Sequence, residues 1–327
     1  MRTGWSLNDT LVAFKAGTHY GYHSHSTHNG FFIWHKGNIL SAEGGMYQSG
    51  CQTFDNPVKN MTAWDNPLLK TSLVEREFVY IKPSCIITYD RIKAVSPSCI
   101  KSYTVHSIGR PSVFDGSWET PPTGITDYLP ASGARMDTQA GRLFLKTIFP
   151  ENVKYHVIGG AGYENYIEST ATNYGPDCGV QDYNMLWRVE VRPADSQAEC
   201  NFLNFLEITE TAADEIADST ATACSSNVHG ITITGSAPAY VVLFSTGGNN
   251  VESLSYYSPV SAKHLAFNMA EGSYDIYLDN EKLFSEVSAS SEGCLAFDAA
   301  GTSGYYRILP TQSNSRPPAP PVNLEIR

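Results

Sequence analysis

The chain lacks the features that mark membrane, nucleic-acid and redox proteins. No apolar run approaches the roughly 20 residues that cross a bilayer as a helix. The opening stretch MRTGWSLNDT has no basic-then-apolar order of the signal-peptide kind. Charged residues make up only 17% of the 327, and the 33 acidic against 22 basic ones leave a net charge of −11. Such a field opposes phosphate backbones, which excludes nucleic acid as a general partner, and an acidic sugar would need a locally positive surface. The seven cysteines include no C-x-x-C pair, and an odd number cannot all pair within one chain. They read mainly as small core residues. Cys85 and Cys99 form the one candidate disulfide, because IKPSCIITYD and SPSCIKSYTV look like hairpin partners.

Helical periodicity is missing too. The nearest approach, TETAADEIADS at 209–219, reads equally well as a polar loop. In its place are 26 glycines, 18 prolines and 12% aromatics, a turn-rich β composition. LVAFKAG, GFFIWHKGNILSAE, REFVYIKPSCIITYDRI, SYTVHSI and GRLFLKTIFP are short, rich in β-branched and aromatic residues, and bounded by Gly, Pro, Asn or Ser. WRVEVRPAD and CNFLNFLEIT continue the series before the polar stretch Ala212–Ser226 changes the composition. Beyond it HGITITGS, AYVVLFST, KHLAFNM, GSYDIYLDN, GCLAFDA and YYRILP form a second set of strands. The expected fold is all-β: a large antiparallel β-sandwich of two stacked sheets at 1–221, then a smaller antiparallel β-sandwich at 222–312. The Pro-rich segment 313–327, SNSRPPAPPVNLEIR, reads as an extended linker.

Five of the nine histidines fall between His19 and His35, in HYGYHSHSTHNGFFIWH. On a strand His23 and His25 would project to one side, with His19 and His28 nearby, a geometry suited to a divalent metal or to proton transfer near neutral pH. A solvated strand end with chance histidines gives the same pattern. Glu43, in LSAEGGMY, reads either as a turn residue or as a ligand. His106, within the apolar SYTVHSIGRP, reads either as a core histidine or as a third ligand beside His25 and Glu43.

The order of these pieces resembles the β-sandwich domain of heparinase II/III-like polysaccharide lyases, a group similar to the oligoalginate lyases. The resemblance starts at Arg2, Trp5 and AFKAG, and continues through HSHSTHNGFFIWHKG, LSAEGGMY (Leu40 to Tyr47), REFVYIKPSCIITYDRI and YTVHSIGRP. WRVEVRP, KHLAFNM, SYDIYLD and GCLAFD extend it over nearly the whole chain. Two positions depart from the family pattern: Thr27 and Glu43 stand where it usually has Asp.

The resemblance implies a catalytic role for His23 and a structural zinc site made by His25, Glu43 and His106. It implies cleavage of an acidic, uronate-containing polysaccharide, glycosaminoglycan- or alginate-like, by β-elimination: the C5 proton is abstracted and the 4-linked sugar leaves. An N-terminal helical toroid supplies most of that chemistry in the family and is not part of this sequence, so the chain is expected to have little activity alone. It is also expected to be secreted or periplasmic, with a signal upstream. Two other readings stay open. Gly17 followed by HSH resembles the opening of a cupin metal motif, although STHNGFF lacks the Glu that should follow. A non-catalytic carbohydrate-binding or structural sandwich stiffened by zinc is the other.

Overall fold

Alternation decides which way each side chain faces. In YTVHS, Tyr103, Val105 and Ser107 are buried while Thr104 and His106 lie half-buried on the opposite side, the period of two that a pleated strand imposes. A computed structural model describes residues 1–15, 30–42, 71–168, 171–173, 185–248 and 250–311. Among them the chain is all-β, without an α-helix, and no helix is long and apolar enough to cross a membrane. Two compact units divide it, Met1–Ile216 and Ala217–Arg327. The division precedes the boundary expected at 221/222, because the strand Ser219–Ala221 pairs with Val228–Ile233 and so belongs to the second sheet system.

The first unit contains β1 (Thr10–Phe14), β2 (Phe31–His35), β3 (Asn38–Ser41), β4 (Thr71–Ile81), β5 (Cys85–Ala94), β6 (Tyr103–Ser107), β7 (Ser112–Phe114) and β8 (Trp118–Glu119). It continues with β9 (Gly124–Tyr128), β10 (Gly133–Asp137), β11 (Arg142–Phe149), β12 (Val153–Gly159), β13 (Tyr166–Ile167), β14 (Thr172–Asn173), β15 (Trp187–Pro193) and β16 (Glu199–Thr209). The large sheets have the orders β4-β5-β16-β11-β10-β7-β8 and β6-β15-β12-β9, with β1-β2-β3 as a third sheet. Ile86, Leu143, Leu145, Phe202 and Leu206 from one large sheet share a core with Tyr103, Val105, Tyr155, Trp187 and Val189 from the other. Val12, Ile33 and Leu40 bring the third sheet into the same core. Lys36 and Gly37 both have positive φ, 50° and 76°, between paired His35 and Asn38, which makes the Lys-Gly step a type I′ hairpin turn.

The second unit contains β17 (Ser219–Ala221), β18 (Val228–Ile233), β19 (Ala239–Ser245), β20 (Leu254–Ser258), β21 (Ala262–Ala266), β22 (Gly272–Leu278), β23 (Glu281–Ala289), β24 (Leu295–Asp298) and β25 (Gly304–Pro310). Its sheets are β17-β18-β19-β21-β24 and β20-β25-β22-β23, around Val241, Leu243, Tyr256, Tyr274, Ile276, Tyr306 and Ile308. The pairing is antiparallel except for β19 and β21, which run parallel, a departure from the wholly antiparallel sandwich expected.

The disulfide expectation fails. Cys85 and Cys99 are both free. Cys85 begins β5 and Cys99 lies beyond its other end, roughly 30 Å of extended strand away. The two flanking runs are not hairpin partners either: β5 pairs with β4 and β16, and β6 belongs to the other sheet. The 209–219 run leaves β16 as irregular chain, so of its two readings the loop is the observed one. It is tied down by Glu210, which Lys36 Nζ reaches at 2.6 Å, and by Arg142, whose guanidinium donates to the Ala213 carbonyl.

Candidate functional site

His106 sits on β6, an edge of the four-stranded sheet, directly opposite Arg188 on β15. Since Tyr103 and Val105 face the core, His106 faces outward. The residue is half-buried, yet its Nε2 is shielded from solvent and has no hydrogen-bond partner among the described residues. Burial, reinforced by Arg188 and opposed by Glu190, lowers its pKa to about 4. A neutral imidazole with an uncommitted nitrogen has the chemistry of a zinc ligand, so the residue fits the expected donor set. β3, which lies beside β6, ends at Ser41, and Ala42 is the last described residue before Glu43. His23, His25 and Glu43 themselves lie outside the described residues, so of the four expected site residues His106 alone has described geometry. Among the described residues no three His, Cys, Asp or Glu side chains lie close enough to hold a metal ion.

The strands around His106 carry a set of charged residues that inspection of single residues overlooks. Directly opposed residues in an antiparallel sheet share a face. Thr104, Glu190, His156 and Asp127 therefore form one row across β6, β15, β12 and β9, flanked by His106–Arg188 on one side and Arg192–Lys154 on the other. The outer face of a sandwich is usually solvated, but Arg188 and Glu190 are each 2% exposed and His156 3%. The segment after β12 covers them: the Tyr166 carbonyl accepts from Arg188 Nη2 at 2.7 Å, and Glu168 Oε2 lies 3.0 Å from His156 Nε2.

Each buried charge here is matched. Arg188 Nε donates to Glu190 Oε1 at 2.7 Å, while Arg192 Nη2 donates to Glu190 Oε2 and Glu168 Oε2, each at 2.6 Å. His156 Nδ1 meets Asp127 Oδ1 at 2.5 Å, and Lys154 Nζ donates to Asp127 Oδ2 at 2.9 Å. The bond to His156, helped by Arg192 against partial burial, holds the Glu168 pKa down to about 2. Burial pushes the Glu190 pKa upward, but Arg188 and Arg192 outweigh it and leave it below the ordinary carboxylate value. The network thus holds β15, β12 and the covering segment in fixed relation and presents no uncompensated charge, whereas His106 at its edge keeps an unpaired nitrogen. A signal for it exists in WRVEVRP, where Arg188, Glu190 and Arg192 alternate with Trp187, Val189 and Val191. Charges at every second position of an otherwise core-facing strand imply a polar face that something must cover.

No protein-family model matches the chain, and no curated protein matches it in sequence. Among solved structures it is similar to a heparinase III, at 13% identity over 75% of this chain and 40% of that one, with a TM-score of 0.44. It is likewise similar to heparan sulfate lyase HepC from Pedobacter heparinus, at 11% identity over the same shares of the two chains, with a TM-score of 0.40. The chain spans about 40% of the length of these solved structures.

Proposed function

We propose that the first unit is the β-sandwich portion of a lyase that cleaves uronate-containing polysaccharides by β-elimination. In this reading His23 lines the catalytic cleft, and His25, Glu43 and His106 hold a structural zinc. The observation that carries it is His106: a neutral imidazole with a shielded, unpartnered Nε2, on the strand beside the one that leads into Glu43. The ordered motifs from Arg2 to YTVHSIGRP support the same assignment.

β-Elimination needs the uronate carboxylate neutralised, a base for the C5 proton and an acid for the leaving oxygen. His23 is suited to the proton-transfer work, and a zinc held by His25, two positions on, would fix the segment that carries it. Thr27 in place of Asp removes a carboxylate that would otherwise orient that imidazole. The remaining groups would come from a helical domain of the kind the resemblance implies, so residues 1–327 by themselves are inactive; the substrate is an acidic polysaccharide met outside the cytoplasm. Elemental mass spectrometry of the purified, tag-free chain tests the metal. Near-stoichiometric zinc, lost in His25→Ala and in His106→Phe, is expected; no metal in the parent would overturn the site. Unsaturated uronate product formed by this chain without an added helical domain would overturn the claim of inactivity.

A further inference from the structure

The second unit carries an organised surface of its own. The dipeptides Tyr256–Tyr257 on β20 and Tyr305–Tyr306 on β25 each send one ring inward and one outward, as a period of two requires. Inside, Tyr256 stacks on Tyr306 with ring centroids 5.2 Å apart and both are fully buried. Outside, Tyr257 and Tyr305 are paired across the two strands with centroids 4.9 Å apart and an interplanar angle of 51°. The inner pair is explained by the core, and the outer pair is not.

The next row of the same face continues the pattern. Arg307 on β25 is opposite Tyr277 on β22, which is opposite Lys282 on β23. The Arg307 guanidinium lies 5.4 Å from the Tyr277 ring and Lys282 Nζ lies 5.7 Å from it, so one ring is bracketed by two cations. Asp275 holds Lys282 in place through a 2.6 Å bond. Three tyrosine rings and two cations are thus contiguous on one sheet face of a protein whose net charge is −11.

We infer that this face of β20, β25 and β22 binds an anionic pyranose chain, the rings of Tyr257, Tyr305 and Tyr277 lying against sugar C–H faces while Arg307 and Lys282 meet its carboxylates or sulfates. Flat aromatic rings match the apolar faces of pyranoses, and a planar guanidinium matches a carboxylate or sulfate with paired donors. The charge complementarity selects acidic over neutral glycans. This is a second, non-catalytic surface; it shares a ligand class with the lyase reading but does not depend on the zinc site.

Isothermal titration of the full chain with size-defined heparan sulfate and alginate oligosaccharides, beside a neutral β-glucan oligosaccharide, tests it. Binding to at least one acidic series is expected, with affinity at least tenfold lower in Tyr257→Ala/Tyr305→Ala and in Arg307→Gln. Arg307→Gln keeps the outer tyrosine pair, so loss of binding there with an unchanged melting transition separates recognition from folding. The part of the binding that Tyr257→Ala/Tyr305→Ala removes is kept in His25→Ala even where that variant abolishes metal, which distinguishes failure here from failure of the lyase assignment. Unchanged affinity in both variants, no binding to any acidic oligosaccharide, or equal binding to the neutral one would each overturn the proposal.

Discussion

Acidification should destabilise the second unit through a single histidine. His264 on β21 is 1% exposed, accepts or donates one bond with the Tyr256 hydroxyl at 2.8 Å, and stacks on Phe297 with centroids 4.6 Å apart and planes 7° apart. Burial lowers its pKa from the ordinary 6.5 to about 4. Below 6.5 the unfolded chain takes up a proton that the folded one refuses until about pH 4. The contribution is therefore complete above 6.5, shrinks as pH falls, and is gone below 4, where both states are protonated. At about 1.4 kcal/mol per tenfold in proton affinity the full effect is about 3 kcal/mol, of which about 2 kcal/mol is lost between pH 7 and pH 5. All five tryptophans precede residue 217, so their fluorescence is blind to this unit. Hydrogen exchange of peptides covering β19 to β22, followed across denaturant titrations at pH 7 and pH 5, reports it directly. His264→Phe keeps a ring against Phe297 and removes the titrating group. It loses roughly 1–3 kcal/mol at neutral pH by leaving the Tyr256 hydroxyl without its partner, but it should lose little more on acidification. An equal drop from pH 7 to pH 5 in parent and variant would refute the reasoning.

Three further outcomes follow from the first unit. Glu190→Ala leaves the buried Arg188 guanidinium without its carboxylate, and denaturant unfolding followed by tryptophan fluorescence should show a loss of roughly 3–5 kcal/mol. Gly159→Ala would put a Cβ 2.6 Å from the Leu186 carbonyl and 2.5 Å from the Trp187 ring, forcing backbone to move; a loss of roughly 1–3 kcal/mol by the same assay is expected. If zinc is bound as proposed, chelation should lower the tryptophan-reported melting temperature by the linkage free energy, about 4 kcal/mol when free metal is a thousandfold above Kd, and leave the second unit's exchange unchanged.

Much of the fold is readable from single segments, and the exceptions share a cause. YTVHS, WRVEVRP and GYYRILP each announce a strand and its two faces by alternation alone. The Asp279–Asn280 step announces a hairpin because both residues tolerate the positive φ that a type I′ turn demands, and at Lys36–Gly37 only the glycine gives that signal. What cannot be read locally is pairing between distant segments. Nothing within AYVVLFS or AKHLA says that they run parallel, and nothing within IKPSC or SPSC says that their strands belong to different sheets. The site divides the same way. His106 stands out as a histidine in an apolar strand, but its setting beside Arg188 and the Glu190–His156–Asp127 row exists only once β6, β15, β12 and β9 are laid side by side. The outer tyrosines escape a residue-by-residue search for the same reason, since Tyr257 and Tyr305 are 48 positions apart in sequence and become a pair only through the β20–β25 ladder.

An unpaired buried nitrogen does not by itself make a ligand, and this chain contains its own control. His106 and His264 both have a pKa near 4, and both have a buried Nε2 without a partner among the described residues. Their surroundings separate them. His264 is enclosed by the rings of Tyr256, Phe297 and Tyr306. His106 borders a charged row on an edge strand, next to the strand that ends at Ser41, two positions before Glu43 in sequence. The contrast fixes what the metal measurement must show: zinc content should fall in His106→Phe and stay at the parental level in His264→Phe. Loss of zinc in both variants would mean that either substitution unfolds the chain, which tryptophan fluorescence detects in the first unit and hydrogen exchange in the second, whereas retention in both would remove His106 from the ligand set and with it the observation on which the lyase-type site stands.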